Sequence, residues 1–516
     1  MQTISQHDFA RIPSPSIQRS SFDRTSGHKT TFDSGFLIPI FYDEALPGDS
    51  FKLNSSLFAR LNTPIVPYMD NAYLQTFFFE VPVRQVWDNW EKFNGAQDNP
   101  GDSTDYLIPQ LLSPAINGYE YPSLGDYFGL PVGVPLMPHS ALPFRCYNHI
   151  FNTWFRDQNL QDMVPVPKGD GPDVALEYQL LRRGKRHDYF TSSLPWPQKS
   201  DSGSVSIPLG TTAPIVTNAP QGEDVGIFAT GTQNVFALDA SSPFLQMSGS
   251  AGTLGNAMLA DLTEATAATI NQLRQSIAVQ RLFEKDARGG TRYIEVIKSH
   301  FNVSSPDLRL QRPGFLGGGR SAININPVAQ TQATADGVTP QANLSAVGTI
   351  SGGSHGFTKS FTEHTIIIGL ACVYADLTYQ RGMERSWSRR TRFDFYWPEL
   401  STIGEQEVLN KEIFMDGSAT DDLVFGYQER FAEYRYKPSL ITGKFRSTDP
   451  QSLDFWHLSQ DFATVPALSE TFIVENPPFD RVIATPDEPQ FKMDMYHSLH
   501  CARPMPMYGI PGLDKL

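Results

Sequence analysis

Proline interrupts the chain's first strongly apolar stretches every few residues, and this limits what they can fold into. FLIPIFYD and AYLQTFFFEVPV are dense in aromatic and β-branched side chains, with Pro39, Pro47, Pro64 and Pro67 in and between them. Proline has no backbone N–H and a fixed φ, so it breaks a helix and sits only at the ends and edges of a sheet. The pattern predicts short β-strands joined by turns and long loops. Strand-like runs recur at TEHTIIIGLACVYADLTY, RTRFDFYW and ETFIVEN.

Helices are the minority. CYNHIFNTWFRDQN puts Tyr147, Ile150, Phe151, Trp154 and Phe155 on one face at helical spacing. A longer helix is predicted from about Asp261 to Ala287, stopped by Gly289 and Gly290, and TRYIEVIKSHF follows with Thr291 as its N-cap. Residues 200–260 and 328–356 are tracts of Gly, Ser, Thr, Ala and Pro with little periodicity, which reads as functional excursions from a β-sandwich whose loops carry the work. The expected organisation is an extended arm over 1–31, the first part of a sandwich with helical insertions over 32–199, and a surface insertion loop over 200–260. The remainder of the sandwich follows over 261–490, then a terminal tail over 491–516.

The 516 residues carry 41 basic and 55 acidic side chains, a net charge of −14. A chain whose main work was gripping DNA or an anionic membrane would carry the opposite sign. Cys146, Cys372 and Cys501 have no paired spacing, which indicates reduced thiols and not a disulfide framework. The first residues lack the apolar core of an export signal, and IIIGLACVYA from Ile366 is too short for a membrane span. Synthesis in a cytoplasm is the expectation.

Four stretches invite a chemical reading. GFLGGGRS, residues 314–321, matches the spacing of a phosphate-cradling loop, with Arg320 in place of lysine and Ser321 as a would-be magnesium ligand. That loop needs a strand before it and a helix after it; Pro313 precedes Gly314, and AININPVAQTQ downstream alternates like a strand. The nucleotide reading fails, leaving a flexible backbone turn. DMYHSLHC offers Asp494, His497, His500 and Cys501, but a metal site would need ligands not clearly supplied, and a docked tail is the simpler reading. LRRGKRHDY gathers Arg182, Arg183, Lys185, Arg186 and His187. YQRGMERSWSRRTRFDFYW interleaves Arg381, Arg385, Arg389, Arg390 and Arg392 with Tyr379, Trp387, Phe393 and Tyr396. Arginine beside aromatic rings suits single-stranded nucleic acid, and equally a protein interface. No nucleophile elbow or Cys–His pairing appears, so no catalytic residues, cofactor or metal are expected.

Several strings carry a resemblance. SFDRTSGHKTTFDSGFLIPIFYDEALPGDSF, MDNAYLQTFFFEVPVRQVWDNWEKFNG, LPFRCYNHIFNTWFRDQNLQ, QRLFEKDARGGTRYIEVIKSHF and LRLQRPGFLGGG closely resemble, in this order, segments of the major capsid proteins of microviruses, in the gokushovirus branch. The resemblance covers most of the chain and is weakest over 200–260 and 328–356. It implies an eight-stranded antiparallel jelly roll with large insertions, and in that light the glycines of GFLGGGRS let backbone bend and pack closely at a subunit contact. Copies would self-assemble, through threefold and fivefold contacts, into the simplest icosahedral shell around a circular single-stranded DNA genome. It further implies partners: a separate small basic DNA-binding protein, scaffolding and pilot proteins during assembly in the host bacterial cytoplasm, and a host cell-surface receptor.

Residues 200–260 occupy the place of an insertion that forms a protrusion at each threefold axis, used for host attachment. Its scattered apolar residues, Ile215, Val216, Ile227, Phe228, Val235, Phe236, Phe244 and Leu245, would be buried against symmetry copies. Arg381, Arg385, Arg389, Arg390, Arg392 and Trp387 are the candidates for contact with DNA or a neighbouring subunit. A β-sandwich carbohydrate-active enzyme or carbohydrate-binding module is the competing reading, and it would require convergent carboxylates in a cleft.

Overall fold

The computed structural model describes residues 18–199, 215–217, 226–228, 235–239, 246–251, 258–260, 270–290, 293–302, 310–331 and 342–508. The chain divides into two compact units, Met1–Pro197 with Pro306–Leu516, and Gln198–Ser305.

The larger unit is built on ten strands: β1 (Ser20–Asp23), β2 (Ser26–Phe32), β3 (Ile38–Ala45), β4 (Ser50–Leu61), β5 (Ala72–Pro82), β6 (Gly314–Ala322), β7 (Asn324–Ala329), β8 (Leu344–Ser360), β9 (Thr365–Ala375) and β10 (Phe491–Arg503). They form two antiparallel sheets. The six-stranded sheet runs β1-β10-β4-β8-β7 with β2 also on β10, and the four-stranded sheet runs β6-β5-β9-β3. The expected mainly β, antiparallel sandwich with few helices is what the sequence folds into.

Alternation of side chains explains how the sheets pack. In β4 and β10 every second residue is buried, so the six-stranded sheet keeps one face in the core and one in water. Between the sheets lie Phe32, Phe51, Leu53, Leu57, Phe78, Ile367, Val373, Phe491 and Met495. β9 is buried at all its positions, because the other face of the four-stranded sheet is covered too. There Phe79, Val81, Ile366, Ile368 and Leu370 meet Phe144, Tyr147, Ile150 and Phe151. Those last residues come from helix α1 (Leu142–Ile150) and the π-helical turn Phe151–Phe155 that follows it, the helical face expected from the sequence. A third cluster joins Tyr189 and Phe190 to Val408, Phe414, Phe425 and Phe472.

The smaller unit carries an antiparallel pair, Ile215–Thr217 with Met258–Ala260, and a three-stranded sheet of Gly226–Phe228, Val235–Asp239 and Gln246–Ala251. Helices α2 (Ile270–Gly289) and α3 (Tyr293–Phe301) follow, separated at Gly290, whose φ of +93° suits a helix stop.

Several expectations need correction. Residues 491–503 are a strand inside the six-stranded sheet and not a tail: FKMDMYHSLHCA puts Phe491, Met493, Met495, Leu499 and Cys501 on one face, a period of two that was readable in the sequence. The stretch 20–31, expected as an arm, pairs with that strand through β1 and β2. Much of the tract 328–356 lies in β8, and the insertion 200–260 contains short strands where a loop was expected. RTRFDFYW and ETFIVEN form no strand; they contain the short helical turns Arg392–Asp394 and Glu470–Ile473.

Candidate assembly and ligand surfaces

The glycines of GFLGGGRS lie in strand β6, with no helix after them. Within one chain they let β6 sit close both to its neighbour β5 and to β8 of the facing sheet. A Cβ on Gly317 would collide with the carbonyl oxygen of Gly356 in β8, one on Gly318 with that of Thr76 in β5, and one on Gly319 with the His355 ring. His355 is buried, its Nδ1 3.0 Å from Thr76 Oγ1 and its Nε2 3.2 Å from Ser321 Oγ, so the serine once considered as a metal ligand serves this internal network. The guanidinium of Arg320 lies 3.5 Å from the Tyr73 ring centroid. Close packing was the right expectation, but the contact is intramolecular.

His497 and His500 do not converge. In a strand, residues three apart point to opposite faces. His497 faces the core, bonded to Ser55 Oγ at 2.8 Å and to the Ile40 carbonyl at 3.0 Å, and burial pushes its pKa down to about 4. His500 is exposed on the other face. Among the described residues no group of three His, Cys, Asp or Glu could hold a metal ion.

The cluster at 182–187 works internally. Arg182 bonds the Ser34 and Glu475 carbonyls with its guanidinium 3.9 Å from the Phe36 ring centroid, Arg183 bonds Gln75, and Lys185 bonds Gln460 at 2.9 Å. Among these cations sits Glu475, buried, its carboxyl pushed up to about 7 by desolvation although Lys185, Arg183 and Arg182 oppose the shift. A carboxyl that keeps its proton to about pH 7 when folded, but loses it near the ordinary glutamate value when unfolded, makes stability fall as pH rises between those values. Glu475→Gln removes this term. Thermal unfolding of the variant should gain on the wild type from pH 5 to pH 7 and hold that gain above 7, by on the order of 3 kcal/mol in total. A difference independent of pH would show that Glu475 is ionised in the fold throughout.

The second arginine cluster divides. Arg381 forms a two-pronged pair with Asp461 at 2.5 and 2.8 Å, Arg385 pairs with Glu412 at 2.7 Å, and Arg389 approaches Glu433 at 3.6 Å while lying 4.4 Å from the Tyr434 ring centroid. These three brace the loops 381–390 and 405–461. Arg390 and Arg392 are exposed, Arg390 acting at a distance on Asp422, and the Arg392 guanidinium is 4.9 Å from the Phe393 ring centroid. Around them the chain presents Trp387 (79% exposed), Phe393, Phe395, Tyr396 and Trp397 to solvent. A second exposed apolar group, Leu107, Ile116, Val132, Leu136, Met163 and Leu176, lies on other loops. Neither group was fully legible: the rings at 387–397 were noted, but the scattered residues of 107–176 share no period. Exposed rings gathered in one segment, as at 387–397, mark an interaction surface.

Of the insertion's candidate contacts, Ile215, Val216, Ile227, Phe228 and Phe236 fall on its short strands, with Phe236 opposite Ile227 and Val235 opposite Phe228 in register. Phe244 and Leu245 lie outside the described residues.

The capsid protein (F protein) family of phages matches residues 10–513 of the chain. Three curated relatives match over nearly full length: a capsid protein VP1 of Bdellovibrio phage phiMH2K (50% identical, 98% of each chain), one of Chlamydia phage 1 (42%, 100% of this chain and 99% of the relative) and one of Spiroplasma virus 4 (36%, 99% and 98%).

Proposed function

This chain belongs to the phage capsid protein (F protein) family, a structural component of the virion and not an enzyme, and from that premise we propose that its copies close into an icosahedral shell around single-stranded DNA, each subunit built on a jelly roll. The pairing order carries the jelly-roll reading. Taking β2, β3, β4, β5, β6, β8, β9 and β10 in chain order, the first pairs with the last, the second with the seventh, the third with the sixth and the fourth with the fifth. That nesting is one long antiparallel ribbon rolled into two sheets, with β1 and β7 added beside it.

Long insertions leave the roll between β5 and β6 and between β9 and β10, and the two exposed apolar groups lie on them. A heterologous contact joins two different surfaces of identical chains and repeats until rotations close. Two distinct patches on one chain are what such a contact requires, and engagement of several neighbours at once lets each contact be weak. The acidic total suits a coat whose genome is neutralised chiefly by a separate basic protein.

Within the first insertion, residues 200–260 project as a threefold protrusion and attach the particle to a host receptor. Deleting 205–255 and rejoining the ends through a short Gly-Ser linker tests this. The rest of the chain keeps its nested strands, so shells should still form by negative-stain microscopy while adsorption to host cells falls at least tenfold. Normal adsorption would remove the attachment role, and failure to fold would assign the segment to the core.

A further inference from the structure

The solvent face of the six-stranded sheet has an arrangement that sheet stability alone does not favour. Its two long strands place the cations Arg60 and Lys492 opposite each other at one end, and at the other Lys52 opposite His500, which has Asp23 of β1 on its far side. Like charges directly opposite on adjacent strands repel. Between these ends, in register, come Phe58 opposite Asp494, Ser56 opposite Tyr496, and Asn54 opposite Ser498. Phe58 is 45% exposed and Tyr496 57%, and the Arg60 guanidinium lies 5.5 Å from the Phe58 ring centroid. Lys52 and Arg60 have no ion pair among the described residues. Lys492 has only the exposed Glu488 at 3.2 Å, and Asp494 is matched by Lys29 at 3.2 Å. At the Arg60 end a cavity of about 700 Å³ opens, lined by Lys29, Thr31, Phe58, Arg60, Tyr121 and Lys492, with Asp126 and Asp494 also in its wall.

We propose that this face binds single-stranded DNA, with phosphates at Arg60 and Lys492 and at Lys52, and bases stacked on Phe58 and Tyr496. The proposal rests on the capsid reading and names the surface that meets the genome. Charge complementarity selects the occupant: an anionic chain relieves the Arg60–Lys492 repulsion at one end and meets Lys52 at the other. Exposed rings set between cations are how sequence-tolerant single-strand binders work, charge holding the backbone and rings the bases. From Lys52 to Arg60 the strand runs about 27 Å at the usual rise per residue, enough for several nucleotides. The opposite sheet cannot serve, because α1 and the loops around it cover its outer face.

The test is anisotropy of a labelled 20-nucleotide oligothymidylate titrated with the purified full-length subunit at several salt concentrations. Lys52→Ala with Arg60→Ala should weaken binding at least tenfold and flatten the slope of log affinity against log salt by about 1.4, two phosphate contacts at roughly 0.7 each. Phe58→Ala with Tyr496→Ala should weaken it by a similar factor and leave the slope unchanged, because stacking releases no counterions. Thermal midpoints should stay close to the wild type, since all four side chains face water. Unchanged oligonucleotide affinity in both pairs overturns the proposal. So does equal affinity for a duplex of the same length, which cannot stack its bases on the rings. Shell formation by the same variants is scored separately. Normal shells with unchanged DNA affinity sink this surface and leave the capsid reading standing, whereas failure of the wild type to form shells sinks the shell itself.

Discussion

Subunits carrying Trp387→Ala with Phe393→Ala should remain folded and fail to form shells, with yield on a sucrose gradient down at least a hundredfold. Trp387 is 79% exposed and Phe393 also faces solvent, so neither contributes much to the free subunit and its thermal midpoint should scarcely move. In a contact the balance reverses. Buried aromatic anchors at an interface centre cost roughly 2–4 kcal/mol each when truncated, and in a closed shell every copy of the contact loses them together. Tyr396 is the wrong choice for this test, because its ring packs 5.3 Å from that of buried Phe431 and its loss would disturb the fold. Arg392→Ala serves as a milder companion: a rim cation should slow assembly and weaken its salt dependence more than it lowers the final yield. Normal yield from the aromatic double variant would place the subunit contact elsewhere, with the apolar group at 107–176 next to be tried.

What the sequence disclosed follows from which physical signals are local. Proline punctuation and runs of aromatic and β-branched residues located β3, β5 and β9, and the apolar face of α1 was readable because helical spacing is a property of a dozen neighbouring residues. The tract 328–356 misled because Gly, Ser and Thr have low strand preference by themselves; what makes LSAVGTISGG a strand is pairing, of its first half with β7 and from Thr349 on with β4, nearly three hundred residues away. DMYHSLHC was misread for a related reason. Its alternation was visible, but the terminal position and flanking prolines suggested a tail, and its partners β2 and β4 lie over four hundred residues upstream. Arg381, Arg385 and Arg389 were visible as cations, whereas the carboxylates that engage them, Asp461, Glu412 and Glu433, come from loops whose placement no local pattern fixes. The basic face of the six-stranded sheet was the least legible. Its cations are interleaved with core residues along two distant strands, so no stretch of sequence reads as a cluster.

Asp173→Ala should be among the most damaging single substitutions in the larger unit. Arg145 is fully buried on α1, its Nε and Nη2 bonded to the two carboxylate oxygens of Asp173 at 2.7 and 2.6 Å and its Nη1 to the Val86 carbonyl at 3.0 Å. Tyr178 donates a further bond to Asp173 at 2.5 Å. Removing the carboxylate strands a guanidinium in the interior, at a cost of roughly 3–5 kcal/mol, a large part of the 5–15 kcal/mol that holds a typical domain together. The physical origin of that cost is testable. If it is the unpaired charge, Arg145→Leu combined with Asp173→Ala must be less destabilised than the sum of the two single variants, because the double variant leaves no charge behind. Strict additivity in urea-unfolding midpoints would mean that the pair does not act as a unit. The same clamp ties the segment 173–178 to α1, and that segment carries exposed Val174 and Leu176 into the second apolar group. A subunit weakened here should therefore lose shell yield at temperatures where it is still largely folded, since the clamp's loss frees the assembly surface before it melts the sandwich.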